Sequence, residues 1–586
     1  MLDLILRNGH VVDGSGAPAV HGDLGISEGR IVGVGQLEEG GHREIDLDGL
    51  VVTPGFVDLH THYDAQVFWD PMVSPSPSHG VTTVISGNCG LTLAPIRPEN
   101  RDFTVRLLAN VEGIPSEAIA SGVDFQWGSF PELLSRLEAT PLGVNLGLMV
   151  GHSAIRRHVM GPAASSDEAT ESQLAEMCSI LDEALAHGGF GFSTATAPTH
   201  RDGDGCLTPP NFASDREFIA LSQVCRRHPG TSLEFIARTS QQGFDLKDRA
   251  LMAAMSSAAD RVLNWNTPVI SKEDPSLHVR QLDACKMDAA SNVCIVPMML
   301  SQNNALYYDL RRGYVHRTLP GWAWLFDLEF PERVKALGDP NVRKSLLEGV
   351  EGNASGSTAL RLRRWEFYEV VQIGPADMQD LKGKTVGEIA IARGKDAYET
   401  WVDLLVESNF DIGYAISYYP GEDRWVTETR KEMLSNPQVL VGASDGGAHM
   451  DMLVGGSSAL RTLIEWVYQR EEFSLESMVR LLSDVPSRLY GLKGRGRLQE
   501  GYVADLLVMD PEHLAVSPMR VERDLPAGAP RLISNASGIE RVFVGGTEVY
   551  ENDRATGDLP GRLLRSGRDS STVTPGDWIR TVSQPR

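Results

Sequence analysis

From Pro54 onward the chain repeats one local alternation, and that alternation limits the possible folds more than any other feature. Apolar, β-type runs (GVTTVIS, GVNLGLMVG, GGFGFST, TSLEFIA, ADRVLNWN, NVCIVPM, PQVLVGASD) are separated by stretches with helical spacing such as ESQLAEMCSILDEALAHG and SDREFIALSQVCRRH. Strands that are apolar at consecutive positions are buried on both faces, and helices between them make crossovers. That is the pattern of βα units on a parallel sheet. Seven or eight such units over roughly 440 residues suit a (β/α)8 barrel with insertions, a fold of ~250 residues that can exceed ~400. The fold class read from the sequence is α/β, a (β/α)8 TIM barrel.

Outside this region the texture changes. LILRNGHVVDG, GDLGISEGRIVGVG and REIDLDGLVVTPG break at Asn-Gly, Asp-Gly and Glu-Gly pairs, the marks of short strands and tight turns. The same texture returns in GRLQEGYVADLLVMD and GIERVFVGGTEVYEN. We expect residues 1–53 and 495–555 to form one small β domain built from both termini. Residues 54–494 are expected to form the barrel, with an insertion around 301–400, and 556–586 a tail that is loose or lies across a neighbour.

Composition narrows the partners. A formal charge of −24 on 586 residues repels nucleic acid and anionic membrane. No run reaches the length of a membrane span, and MLDLILRNGHVVDG lacks the basic and apolar regions of a signal peptide. Six cysteines (Cys89, Cys178, Cys206, Cys225, Cys285, Cys294) form no CxxC pair, which fits free thiols in a reducing cytoplasm. The expected protein is cytoplasmic, and the charge does not identify its substrate.

Functional side chains of such a barrel gather at the C-terminal ends of its strands. GFVDLHTHYD puts His60 and His62 at one such end. Residues i and i+2 of an extended chain share a face, so the two imidazoles make half of a transition-metal site. Cys89 closes VISGNCG, His152 follows LMVG, His200 ends GFSTATAPTH, and Asp445 closes LVGASD with His449 four residues on. Taken singly, Cys89 also suits a small core residue and Asp445 a turn aspartate. His152 and His200 also suit hydrogen-bonding loop positions. Only the His60–His62 pair outweighs the plainer reading on spacing alone. As a set they support hydrolysis: a metal acidifies a water, and Asp445 takes its proton and passes it to a leaving amine.

At this point the motifs VVTPGFVDLHTHYD, DGSG, GRIVGVG and GRLQEGYVADLLVMD resemble the amidohydrolase superfamily. HYDAQVFWDP, HGVTTVISGNCG, APIRPEN, SDGGAH and DLPAGAPRL with PGRLLR are similar to the N-acyl-D-amino-acid deacylase (D-aminoacylase) family, along nearly the whole chain. The resemblance implies a barrel with a β-sandwich from both termini, zinc as the usual metal, and removal of an acyl group from a D-amino acid. It also implies His60 and His62 as the metal-binding pair, Cys89 as a cysteine ligand and Asp445 as the catalytic aspartate.

The chain also departs from that family. The histidines expected after the fifth and sixth strands are absent from GTSLEFIARTSQQ and RVLNWNTPVISK, where Glu234, Asn266 and Lys272 stand nearby. AHMDML replaces a Pro-His-Pro-Arg pattern, and with it goes the arginine expected to meet a substrate carboxylate. Arg238 and Lys272 are the replacements on offer. With His152, His200 and His449 they make up the expected substrate-binding set. Without the two histidines the expected centre is mononuclear, one zinc on His60, His62 and Asp445 or Cys89, with Fe(II) or Mn(II) also compatible.

The sequence therefore reads as a metal-dependent amide hydrolase of N-acyl-D-amino acids. Two alternatives stay open: a hydrolase of another small amide (cyclic, dipeptide or xenobiotic) on the same scaffold, and an inactive barrel serving as a binding subunit. The aromatic run NNALYYDLRRGYVHRTLPGWAWLF reads as a cover over the site or a neighbouring subunit, with Tyr307, Tyr308, Tyr314 and His316 as lid residues. Together with the tail it points to a homo-oligomer, dimer or larger.

Overall fold

The computed structural model describes residues 1–285, 292–302, 305–311, 316–353, 362–417 and 423–582. Eight parallel runs occupy the expected apolar stretches. Phe56–Asp58, Val81–Ser86 and Asn145–Leu148 form a three-stranded sheet. Val150–Gly151, Gly191–Ala195, Ser232–Ile236, Leu263–Asn266, Ile295–Met299 and Leu440–Val441 form a six-stranded one, in that spatial order. Nearly every residue in them is buried, which is why they read as unbroken apolar runs.

The two sheets meet on both sides. On one side a single run of chain passes from Leu148 to Val150 through Met149, whose N–H donates to Ser86 O at 2.9 Å. On the other, an isolated parallel bridge joins Thr61 to Gly446. Helices pack outside. Glu171–Ala186 starts in a capping box between Thr170 and Gln173 and buries Leu174, Met177, Leu181, Ala184 and Leu185, a stripe at helical spacing.

Strands from both termini join in one nine-stranded sheet, in which Leu506–Met509 pairs with Val51–Pro54. Period-two alternation sorts its side chains between two cores. Leu506 and Val508 belong to a cluster with Leu4, Leu24 and Phe543, whereas Leu507 and Met509 join the large core shared with the parallel strands. The tail packs on its own chain: Leu146 N–H donates to Arg562 O, and Leu564 N–H to Leu146 O. Gly561 permits this approach, because a Cβ there would stand 2.2 Å from Val144 O.

The insertion runs past residue 400. Ala305–Asp309, Glu369–Ile373 and Ile412–Ser417 form an antiparallel sheet, and the module has a hydrophobic core of its own. Trp365 stacks on Trp401 at 4.4 Å, and Trp322 lies 5.5 Å from Trp401. Tyr307, Tyr308 and His316 are buried there, while Tyr314 lies outside the described residues. Much of the aromatic run is thus packed in the module's own interior, while Trp324 stays 45% exposed. Among the described residues no helix is long and apolar enough to cross a membrane.

His316 is 1% exposed and burial holds its pKa down at about 3. The unfolded chain protonates this imidazole below ~6.5 while the folded chain does not, so stability falls as pH drops through that window, by up to ~1.4 kcal/mol per unit. In urea titrations of the module's tryptophan fluorescence, His316→Phe is expected to lose roughly 2 kcal/mol less than the parent between pH 7 and pH 5. An identical loss in both proteins would contradict this.

Candidate metal centre

Four side chains converge where the first and last parallel strands meet. His60 Nε2 lies 3.3 Å from Asp445 Oδ1, and His62 Nε2 lies 3.8 Å from the same oxygen. Cys89 Sγ stands 3.4 Å from His60 Nε2 and 3.9 Å from His62 Nε2. The donor atoms of His60, His62 and Cys89 all lie within 4.8 Å of one another. Around a tetrahedral zinc with bonds of ~2.0–2.3 Å, neighbouring donors are separated by about 3.3–3.8 Å. Three of the four measured edges lie in that span, and the fourth, Cys89 to His62, lies just above it at 3.9 Å.

Backbone contacts set this geometry. His62 N–H donates to Gly446 O at 2.7 Å, and Asp445 N–H donates to His60 O at 3.1 Å. The Ser444 hydroxyl donates to Asp58 at 2.7 Å and also meets His60 O. Cys89 and Asp445 both have left-handed backbones, with φ of 58° and 53°, a strained state for non-glycine residues that recurs at functional sites.

The charge around these donors is unbalanced. Asp64, Glu112, Glu234 and Asp445 surround the histidines, and no lysine or arginine pairs with any of them among the described residues. Burial pushes Glu234 up to about 8, Asp64 to about 7 and Glu112 well above its usual value. It pushes Asp445 to about 7, with Asp58 adding repulsion, although 27% of the Asp445 side chain stays open. Burial holds His60 down at about 3, with His200 and His449 adding repulsion, so the imidazoles are neutral and ligand-ready. Glu112 Oε1, Glu234 Oε1 and Asn266 Oδ1 are buried without a hydrogen-bond partner, a rare condition in native proteins. Carboxylates, neutral imidazoles and a thiol with no cation among them fit a divalent metal.

Not every expected residue reaches this cluster. His200 and His449 do approach it, since each depresses the protonation of His60 and His62. The ring nitrogens of His152 are both taken, by Thr194 at 2.9 Å and Glu217 at 2.8 Å, with Arg156 on the same carboxylate. Lys272 is held by Asp423, and Arg238 is exposed, with a 3.4 Å contact to Asn211 O. Glu234 sits beneath Cys89, accepting its N–H at 3.0 Å, and Asn266 Nδ2 lies 3.4 Å from His60 Nε2. Glu112 was not expected. It follows the helix Arg101–Val111 rather than a strand, so strand-end reasoning passes over it.

This centre, on parallel strands with a sheet made from both termini, defines a class. The Amidohydrolase family matches residues 43–550, and the chain belongs to that family. It is 30% identical over 609 residues to an uncharacterized protein of Mycobacterium tuberculosis (strain ATCC 25618 / H37Rv), covering 97% of this chain and 95% of that one. It is 27% identical over 568 residues to the D-aminoacylase of Alcaligenes xylosoxydans xylosoxydans, covering 96% and 97%. A solved D-aminoacylase structure superposes with a TM-score of 0.63 at 25% identity, over 96% of this chain and 100% of that one; its metal centre is described as binuclear, with one-metal activation and second-metal attenuation.

If His152 belongs to a buried polar network, His152→Phe leaves Thr194 and Glu217 without their partner. Unfolding titrations should then show a loss of about 1–3 kcal/mol, with the metal content of the folded protein unchanged. Full stability combined with a raised KM would restore the substrate-binding reading.

Proposed function

We propose that this protein is a metal-dependent amide hydrolase that deacylates N-acyl-D-amino acids, and that its two parallel sheets are the halves of one (β/α)8 barrel. The observation that carries the reading is the meeting of His60, His62, Cys89 and Asp445 in a pocket of unbalanced carboxylates. The family membership, and a D-aminoacylase aligned over 96% of the chain, support it. His60 and His62 would hold the metal with Cys89 or Asp445 as a further ligand. Zinc suits neutral imidazole, thiolate and carboxylate together, and the lack of histidines in GTSLEFIARTSQQ and RVLNWNTPVISK favours one ion.

When bound, the metal supplies a Lewis acid for the amide carbonyl and brings the pKa of a water near 7. The protein supplies the proton path. Asp445, partly open at the mouth and held by its N–H on His60 O, accepts the proton of the attacking water and delivers it to the leaving nitrogen. His200 and His449 line the approach as neutral groups, His449 fixed by its N–H on Glu112 O, and can donate or accept hydrogen bonds to the substrate.

Turnover of N-acetyl-D-amino acids, their L-enantiomers and cyclic amides tests the reading, with Asp445→Asn alongside. We expect the D-series to be hydrolysed with a kcat about 10²–10⁴ lower in the variant, the span of a lost general base. Hydrolysis of cyclic amides alone would replace the substrate class.

A further inference from the structure

Glu112 is a carboxylate of the pocket to whose side chain this hydrolysis scheme gives no task. It is 2% exposed and forms the C-cap of the helix Arg101–Val111, where the helix dipole disfavours negative charge. Among the described residues no lysine or arginine pairs with it, so it carries the full cost of a buried acid. The nearest group that can answer that cost is His62 Nδ1, 3.5 Å from Glu112 Oε1, a distance at which no hydrogen bond is yet formed. The other ring nitrogen, Nε2, is the one turned toward Cys89 and Asp445. A histidine that ligates through Nε2 keeps its proton on Nδ1, and that N–H needs an acceptor to orient the ring.

The backbone extends the link. Glu112 O accepts from His449 N–H. Gly113, at φ +62°, lets the chain press against the following turn: a Cβ there would lie 3.2 Å from both His449 Cα and Asp451 Oδ1. One residue therefore touches the outer nitrogen of a metal-facing histidine and, through its carbonyl, the turn that carries His449.

We propose that Glu112 is a positioning residue, whose carboxylate holds the Nδ1–H of His62 so that Nε2 is aimed at the metal, and whose carbonyl couples that histidine to the His449 turn. The inference rests on the metal-centre reading above. It implies that Glu112 strengthens the metal-loaded protein and burdens the metal-free one, the reverse of a structural carboxylate.

Zinc affinity, measured by competition with a chelating indicator, tests this beside the thermal midpoints of the metal-free proteins. Glu112→Ala should weaken zinc binding 10–100-fold, the usual effect of losing such a partner. Glu112→Gln, which keeps an acceptor oxygen, should fall between it and the parent. Both metal-free variants should melt at or above the parent. Zinc affinity of Glu112→Ala within threefold of the parent would overturn the role while leaving the metal centre intact. Metal-free variants that melt well below the parent would assign Glu112 to the fold instead. A parent that binds no zinc would overturn both this inference and the reading on which it rests.

Discussion

The backbone seam between the first and last parallel strands is the constraint on which the rest of the structure depends. His62 N–H on Gly446 O and Asp445 N–H on His60 O bring two histidines and an aspartate far apart in the chain into one pocket. Ser444 locks the seam from below by bridging Asp58 and His60 O. Gly455 backs it so closely that a Cβ would stand 2.4 Å from Ser444 O. A seam held at this many points can maintain Asp445 at a left-handed φ, a state that costs about 1–3 kcal/mol and persists only where its surroundings over-determine it.

Charge explains what the seam is for. Burying one unpaired carboxylate is costly, and natural proteins answer with arginine, lysine or a metal. Here several carboxylates surround neutral imidazoles and none has a lysine or arginine partner among the described residues. By contrast, the wall behind the site solves the same problem with protein groups: Glu217 is paired with Arg156 and His152. Two buried acidic regions in one molecule, one neutralised internally and one not, mark the second as the place where a cation belongs.

Much of this was legible in the sequence where the signal is local. His60 and His62 stand out because a spacing of two at a strand end puts both imidazoles on one face. Asp445 stands out only within the strand-end set, since the glycines after it equally suit a turn aspartate. The parallel strands read correctly because burial on both faces removes alternation from the sequence. Long-range partners were invisible. Lys272 looked free until Asp423 reached it, and His152 looked like a rim residue until Glu217, from the helix Asp215–Cys225, claimed it. Glu112 carries no local mark at all, because its meaning comes from the ring it faces. The aromatic run around Trp322 resembled exposed surface because the tryptophans that cover it, Trp365 and Trp401, come later in the chain.

The metal content per chain of the purified protein, set beside His60→Ala and His62→Ala, tests the central claim most directly. The account predicts about one tightly held zinc in the parent and its loss in both variants, with folded protein recovered in each case. A parent that stays metal-free after incubation with zinc, or histidine variants that retain the parent's full metal content, would contradict it.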